Sequence, residues 1–168
     1  KRDGVNANSA VLVQVGRSDF DGDDLFAGIR FQQSIERAAY AFGKDGRAPV
    51  QLVGDFMKKR PSAGAAGVLP TYPRISYGEF DSVLPGYVCD ALRLALPDMA
   101  KRLRGFDTAS AVLTAPETRF SSPLRLLRTE SGESVSFKGI YPCGEGAGYS
   151  GGITSSAADG LRTADLIY

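Results

Sequence analysis

An α+β fold is predicted by three features of the chain. Apolar residues recur at helical spacing in four stretches. Short β-branched runs open the chain and fill much of its last third. The segments follow the order strand, helices, strands, helix, with no repeated unit.

Taken in order, Ser9 to Val15 ("SAVLVQV") is a compact apolar run rich in valine and predicts a strand. Asp3, Asn6, Asn8 and Ser9 before it are residues of caps and turns. "DFDGDD" (Asp19–Asp24) has the wrong glycine placement and no closing glutamate for a calcium loop, so it predicts a turn with helix-capping acids. Leu25 to Phe42 follows with Phe26, Ile29, Phe31, Ile35, Ala38, Ala39 and Phe42 as a core-facing stripe, stopped at Gly43. Val50 to Lys59 predicts a second helix, ended by Arg60-Pro61 and a flexible "SAGAAG". A further helix is expected from Gly86 to Leu96, resuming after Pro97 as far as Leu103. Its terminal cluster Lys101, Arg102 and Arg104 is favoured there by the helix dipole and reads as a solvated face. From Ser110 the pattern turns to strands: "SAVLTAPETRF", "SSPLRLLR" and, past a Ser131-Gly132 turn, "ESVSFKGIYPC". Gly152 to Ile167 closes the chain as an amphipathic helix with Ile153, Ala157, Leu161 and Ala164 on one face.

Bulk properties bound the function. A chain of 168 residues, 43% of them hydrophobic, can bury a core without staples. A formal charge of +1 gives no pull toward nucleic acid or an anionic membrane, and no apolar run approaches the ~18 residues of a membrane span. Cys89 and Cys143 fit no metal or C-x-x-C spacing and read as reduced thiols of a cytoplasmic protein. With no histidine, a Ser-His-Asp triad, a Cys-His dyad and a histidine-ligated metal are all excluded within this chain. It opens on Lys1-Arg2-Asp3-Gly4 rather than methionine and is read as part of a longer polypeptide.

The most specific local pattern is Gly139–Gly152, "GIYPCGEGAGYSGG". Gly146 to Gly151 fits G-x-G-x-x-G, between a predicted strand at Lys138–Cys143 and the last helix. Glycines let a backbone approach a pyrophosphate closely, and the amides that open a helix present positive charge to it. A self-sufficient dinucleotide fold needs a return strand and an acid about 20 positions on. Here the pattern runs out on the helix, and Asp165 lies too early. The segment therefore predicts a strand, glycine loop and helix that complete a Rossmann-like domain begun elsewhere.

"GIYPCGEGAGYSGGITSSAADGLRTADLI" resembles the terminal segment of a family of FAD-dependent, NAD(FAD)-utilising dehydrogenases. Its members end in a pattern like G-hydrophobic-Y-P-x-G-E-G-A-G-Y-A-G-G-I-x-S-A-A-x-D-G. "RDGVNANSAVLVQV", "AGIRFQQSIERAAY", "RAPVQLVGDF", "LPGYVCDALRLALP" and "AVLTAPETRFSSPLRLLR" resemble consecutive blocks of that family's C-terminal domain. The resemblance implies a substrate or lid domain over residues 1–137. It implies that residues 138–168 belong to the FAD-binding domain, whose N-terminal part is the partner of this chain. It implies FAD in the parent protein, none in this part alone, and NAD(P) as a candidate electron donor or acceptor for a small-molecule substrate.

In this resemblance Glu145 stands where other flavoproteins place an Asp that reaches the ribityl hydroxyls. Gly144, Gly146, Ala147 and Gly148 carry the backbone past the coenzyme, and Gly151, Gly152 and Ile153 open the helix aimed at the flavin. No catalytic residue and no metal ligand is implied. Ile140, Ile153 and Leu161 need burial, so this tail is expected to be ordered by docking.

A second constellation is "ETRFSSPLR": Glu117, Arg119, Ser121, Ser122 and Arg125. Two arginines, two hydroxyls and an acid within nine residues suit a carboxylate or phosphate substrate, and equally suit a structural ladder of ion pairs. The leading expectation is the C-terminal part of an FAD-dependent oxidoreductase, inactive and flavin-free alone. The alternative is a non-catalytic module binding an anion or a partner through residues 117–125.

Overall fold

The structure, a computed structural model, describes residues 3–22 and 24–168. Among these residues four α-helices and three strands carry the expected α+β class: α1 (Ala27–Gly43), β1 (Ala48–Leu52), α2 (Val53–Met57), β2 (Ile75–Tyr77), α3 (Gly86–Ala100), β3 (Val112–Thr114) and α4 (Ile153–Ile167). The three strands form one mixed sheet in the order β2-β1-β3, with β2 parallel and β3 antiparallel to the central β1. None of the helices is long and apolar enough to cross a membrane among the described residues.

Two compact units divide the chain. Residues 3–16 and 33–116 form the first, and residues 17–32 and 117–168 the second. The first unit holds the sheet and the principal core, in which Val53, Phe56, Phe80, Cys89 and Leu96 pack together. Within this core Phe56 and Phe80 meet at a ring separation of 6.0 Å. Burial pushes the Cys89 thiol up to about 11, so it serves as a small apolar filler rather than a nucleophile.

Two buried polar side chains organise that core. Gln51, the last but one residue of β1, donates through Nε2 to the Arg60 carbonyl (2.8 Å) and accepts the Phe80 N–H at Oε1 (2.8 Å). Arg93 of α3 donates through Nε to the Phe56 carbonyl (2.9 Å) and through Nη1 to Asp81 (3.0 Å) and Asp90 (3.3 Å). Its Nη2 also pairs with Asp81, and the guanidinium lies 4.4 Å from the centre of the Phe56 ring. Both side chains thereby find partners inside the core.

Several sequence expectations are corrected. Val50–Lys59 is not one helix: its first residues end β1, and only Val53–Met57 is helical. "VQLV" suits either state, and two flanking ladders decide for strand because they satisfy both sides of the backbone. Ser9–Val15, half-buried only at Val11 and Val13, forms no ladder, and neither do "SSPLRLLR" and Lys138–Cys143. Of the strands expected on either side of the Ser131-Gly132 turn, one bridge remains, Arg128 to Ser134. In α1 the stripe runs through Phe31, Ile35, Ala39 and Phe42, whereas Phe26, placed in the core by its spacing, is 54% exposed. It sits in the capping turn, where its N–H donates to Asp24 Oδ1 (2.9 Å). Asp23 of the same expected cap lies outside the described residues, as do Lys1 and Arg2. Helix α3 continues through Pro97 without a break. Both cysteines are free thiols, Cys143 exposed.

The second unit is built differently. Phe20 stacks near Phe31 at 5.8 Å, and Gly28 lies so close to Pro123 that a Cβ would meet it at 2.9 Å. Around the bridge, Thr129 N–H donates to Glu133 O (2.8 Å) and Val135 N–H to Leu127 O (3.1 Å). Leu126, Leu127, Val135, Phe137 and Ile140 are nevertheless exposed, so this hairpin folds without burying its own large side chains.

Candidate functional site

The glycine-rich loop is a closed turn that leads into α4. Tyr149 N–H donates to Gly144 O (3.1 Å), and Gly148 N–H to Glu145 O (2.9 Å). The turn is seated against residues 124–126: Leu126 N–H donates to Ala147 O (3.1 Å), and Arg125 Nε to Gly148 O (2.9 Å). Gly148 has φ +82°, and a Cβ there would lie 2.3 Å from the Leu124 carbonyl oxygen. Glycine at 148 is thus demanded by the chain's own backbone.

The loop is pinned to α4 by one ion pair. Arg128 Nη2 donates to Asp159 Oδ1 (2.6 Å) and Nη1 to Asp159 Oδ2 (3.0 Å), with the side chains only 15% and 14% exposed. The same guanidinium donates to the Pro142 carbonyl (2.8 Å) and lies 3.7 Å from the Tyr149 ring centre. Asp159 Oδ2 also accepts the Gly144 N–H (2.9 Å), so one carboxylate joins the helix, the arginine and the start of the loop. Arg128 first, and then the Gly144 amide, hold the Asp159 carboxyl down at about 2, against an ordinary 3.8. Ser150 and Ser156 hydroxyls share a further bond of 2.8 Å, and Ser155 Oγ accepts the Gly152 N–H (3.2 Å) at the helix start.

The expected coenzyme-facing residues thereby fall into two groups. Ala147 is buried and Gly148 is turned onto Leu124, while Glu145, Gly146, Gly151, Gly152 and Ile153 are exposed; Gly144 is half-buried and tied to Asp159. A Cβ at Gly146 would meet nothing within 4 Å. Beside this open glycine surface the first-turn amides of α4 have no acceptor within the helix. That combination suits a phosphate-bearing group.

Of the second constellation, the structure brings Arg125 to the glycine loop, where it also lies 5.1 Å from the Tyr149 ring centre. Ser122 closes a local turn: its Oγ accepts the Leu124 N–H (3.3 Å) and donates to the Leu124 carbonyl (2.9 Å). Glu117, Arg119 and Ser121 are exposed, and the Ser121 carbonyl faces Gln32 Nε2 (3.5 Å). The strands that would have made an ion-pair ladder are absent here among the described residues. In the first unit an open cleft is lined by Leu52, Gly54, Asp55, Lys58, Arg60 and Ala109; there Asp55 already pairs with Arg60 (2.7 Å) and Ser62 (2.8 Å). No group of three or more Cys, Asp or Glu side chains placed to hold a metal ion occurs among the described residues.

The sequence reading missed Arg128, Tyr149 and Asp159. The one available signal was the polar spacing Ser156, Asp159, Thr163 along α4, which marks a helix face with polar partners.

Residues 1–120 match the profile of the family described as FAD-dependent protein, C-terminal domain-like. The chain belongs to this family. A relative from Clostridium beijerinckii (strain ATCC 51743 / NCIMB 8052), described as an uncharacterized protein, is 44% identical over 168 residues. That alignment takes in 99% of this chain, glycine loop included, and 32% of the relative, so the chain spans about a third of the relative's length. The family profile stops short of the loop and α4, whereas the clostridial similarity runs through them. By its description, the family to which these residues belong is the C-terminal domain of FAD-dependent proteins.

The Asp159 geometry of this domain makes a testable statement about pH. Because the folded pKa is depressed, the stabilisation is full above the unfolded value near 4 and is lost as pH falls toward about 2. Asp159→Asn is expected to cost on the order of 2 kcal/mol at pH 7, read from urea unfolding. The gap between the two proteins should close below pH 4. A gap that stays constant from pH 7 to pH 2.5 would refute the ionic origin.

Proposed function

We propose that this domain serves an FAD-dependent oxidoreductase, with the glycine loop and the start of α4 lying against the flavin coenzyme in the full-length protein. In this reading residues 1–137 form a substrate-facing or lid portion, and residues 138–168 complete the FAD-binding domain. Residues 17–32 and 117–137 pack in one unit with that tail and hold it in shape. The observation that carries the reading is the preformed loop: an open glycine surface at Gly146, Gly151 and Gly152, running into a helix N-terminus and fixed from behind by Arg128 and Asp159.

When bound, FAD supplies the transfer of hydride or electrons. The chain's own contribution is binding and orientation. Exposed glycines let the backbone close on the coenzyme, and the α4 amides place positive charge at an anionic group. Glu145, exposed on the turn, is available to accept hydrogen bonds from coenzyme hydroxyls. The pinned loop presents these groups without a further ordering cost. The small-molecule substrate is met by the parent protein as a whole, with NAD(P) as donor or acceptor, and residues 1–168 alone hold no flavin.

An absorbance spectrum of the purified parent protein tests this directly. The two-band spectrum of oxidised flavin is expected there, with none co-purifying with residues 1–168. A full-length protein that remains colourless after incubation with excess FAD would end the proposal.

A further inference from the structure

Helix α4 is amphipathic in the reverse sense. Its polar side faces inward: Ser156 meets Ser150, Asp159 meets Arg128 and Gly144, and Thr163, buried, lies beside Arg128. Its apolar side, Ile153, Ala157, Leu161 and Ala164, is open to solvent, with Ile153 94% and Leu161 70% exposed. A helix of a folded domain ordinarily turns its apolar stripe to the core and its polar face to water. Between the two large side chains the surface is low, since a Cβ at Gly160 would meet nothing within 4 Å.

We infer that this outward face of α4 is the docking surface for the upstream part of the same polypeptide. The inference rests on reading the chain as the C-terminal part of a longer flavoprotein. Two observations choose this occupant over a second copy. The clostridial relative extends well beyond the aligned stretch, which is 32% of its length, and the family is defined by a C-terminal domain, so upstream chain is present to cover the face. The face is also small: 15 residues at about 1.5 Å rise and a helix width of about 10 Å give roughly 200 Å². That is far below the ~800 Å² per partner of a stable association between separate molecules. A covalently attached domain meets the face at an effective concentration in the millimolar range, where a small patch suffices. The docked helix then brings its N-terminus and the adjoining glycine surface to the same neighbour.

The test uses the full-length parent with its exposed Cys143 replaced by alanine and Leu161→Cys or Ala157→Cys introduced. Labelling by a small neutral maleimide is timed under native conditions and in urea. Docking predicts labelling at least tenfold slower in the native protein at both positions, unchanged over a hundredfold dilution. Native rates within twofold of the unfolded ones would overturn it, and protection that disappears on dilution would assign the face to a second copy instead. The FAD reading fails separately. A parent that binds no FAD yet shields position 161 retains the docking inference, and a flavin-loaded parent that labels freely at both positions loses it.

Discussion

Replacing Arg93 with methionine is expected to destabilise the unit that holds the sheet by about 3 kcal/mol, seen as a lower urea midpoint at unchanged slope. Methionine keeps an unbranched apolar stem over the Phe56 ring, so the loss is not one of packing. What disappears is the charge. Asp81, itself two-thirds covered, loses both guanidinium bonds, and the Phe56 carbonyl loses its donor. A buried pair contributes modestly as a whole, yet removing one partner strands the other. Adding Asp81→Asn should recover part of the loss, because a neutral amide needs no counter-charge. Lys101→Met, which breaks the exposed contact with Asp98, should leave the midpoint where it is. An Arg93→Met protein as stable as its parent would show that the pair is incidental to the fold.

The second large effect is expected from Gly148→Ala. Its φ of +82° disfavours any L side chain, and the new methyl would sit 2.3 Å from the Leu124 oxygen and 2.9 Å from the Arg125 Cα. The loop cannot retreat cheaply, since Leu126 N–H and Arg125 Nε hold the carbonyls on either side of the 147–148 peptide step. A cost of about 3 kcal/mol follows, together with displacement of the exposed glycine surface. In the full-length protein, flavin per polypeptide should fall at least tenfold, measured by the ratio of visible to ultraviolet absorbance. Gly146→Ala separates the two causes. It meets nothing in this domain, so any drop in flavin with unchanged unfolding reports contact with the coenzyme. Full flavin occupancy in Gly148→Ala would remove the loop from the binding site.

What the sequence disclosed follows from the range of the forces involved. Helices α1 and α3 were legible because burial on one face imposes a period that survives in the residue order, as with Ile35, Ala39 and Phe42. Strands were not. Val50–Leu52 reads as helix or strand until two neighbours claim its backbone, and Ser9–Val15 has strand composition but no neighbour among the described residues. The glycine loop was legible as a turn before a helix, since φ-permissive residues mark such turns locally. Its anchoring was not, because Arg128 and Asp159 meet across 31 positions and neither residue type announces its partner. The periodicity of α4 was also read correctly while its direction was not implied: Ile153 and Leu161 share a face, but spacing alone does not say whether that face meets this domain or another.

The amide of Gln51 has a consequence for how uniquely the sheet is aligned. A ladder of small aliphatic residues tolerates sliding, since each shifted pairing still covers apolar surface. Sliding β1 by one position would rotate Gln51 to the opposite side and bring Val50 or Leu52 to the place where Arg60 O and Phe80 N–H await a polar group. Two backbone groups and a primary amide would be stranded together in a dry interior. One side chain in the middle strand therefore acts as an index pin, excluding neighbouring alignments that its aliphatic companions would permit.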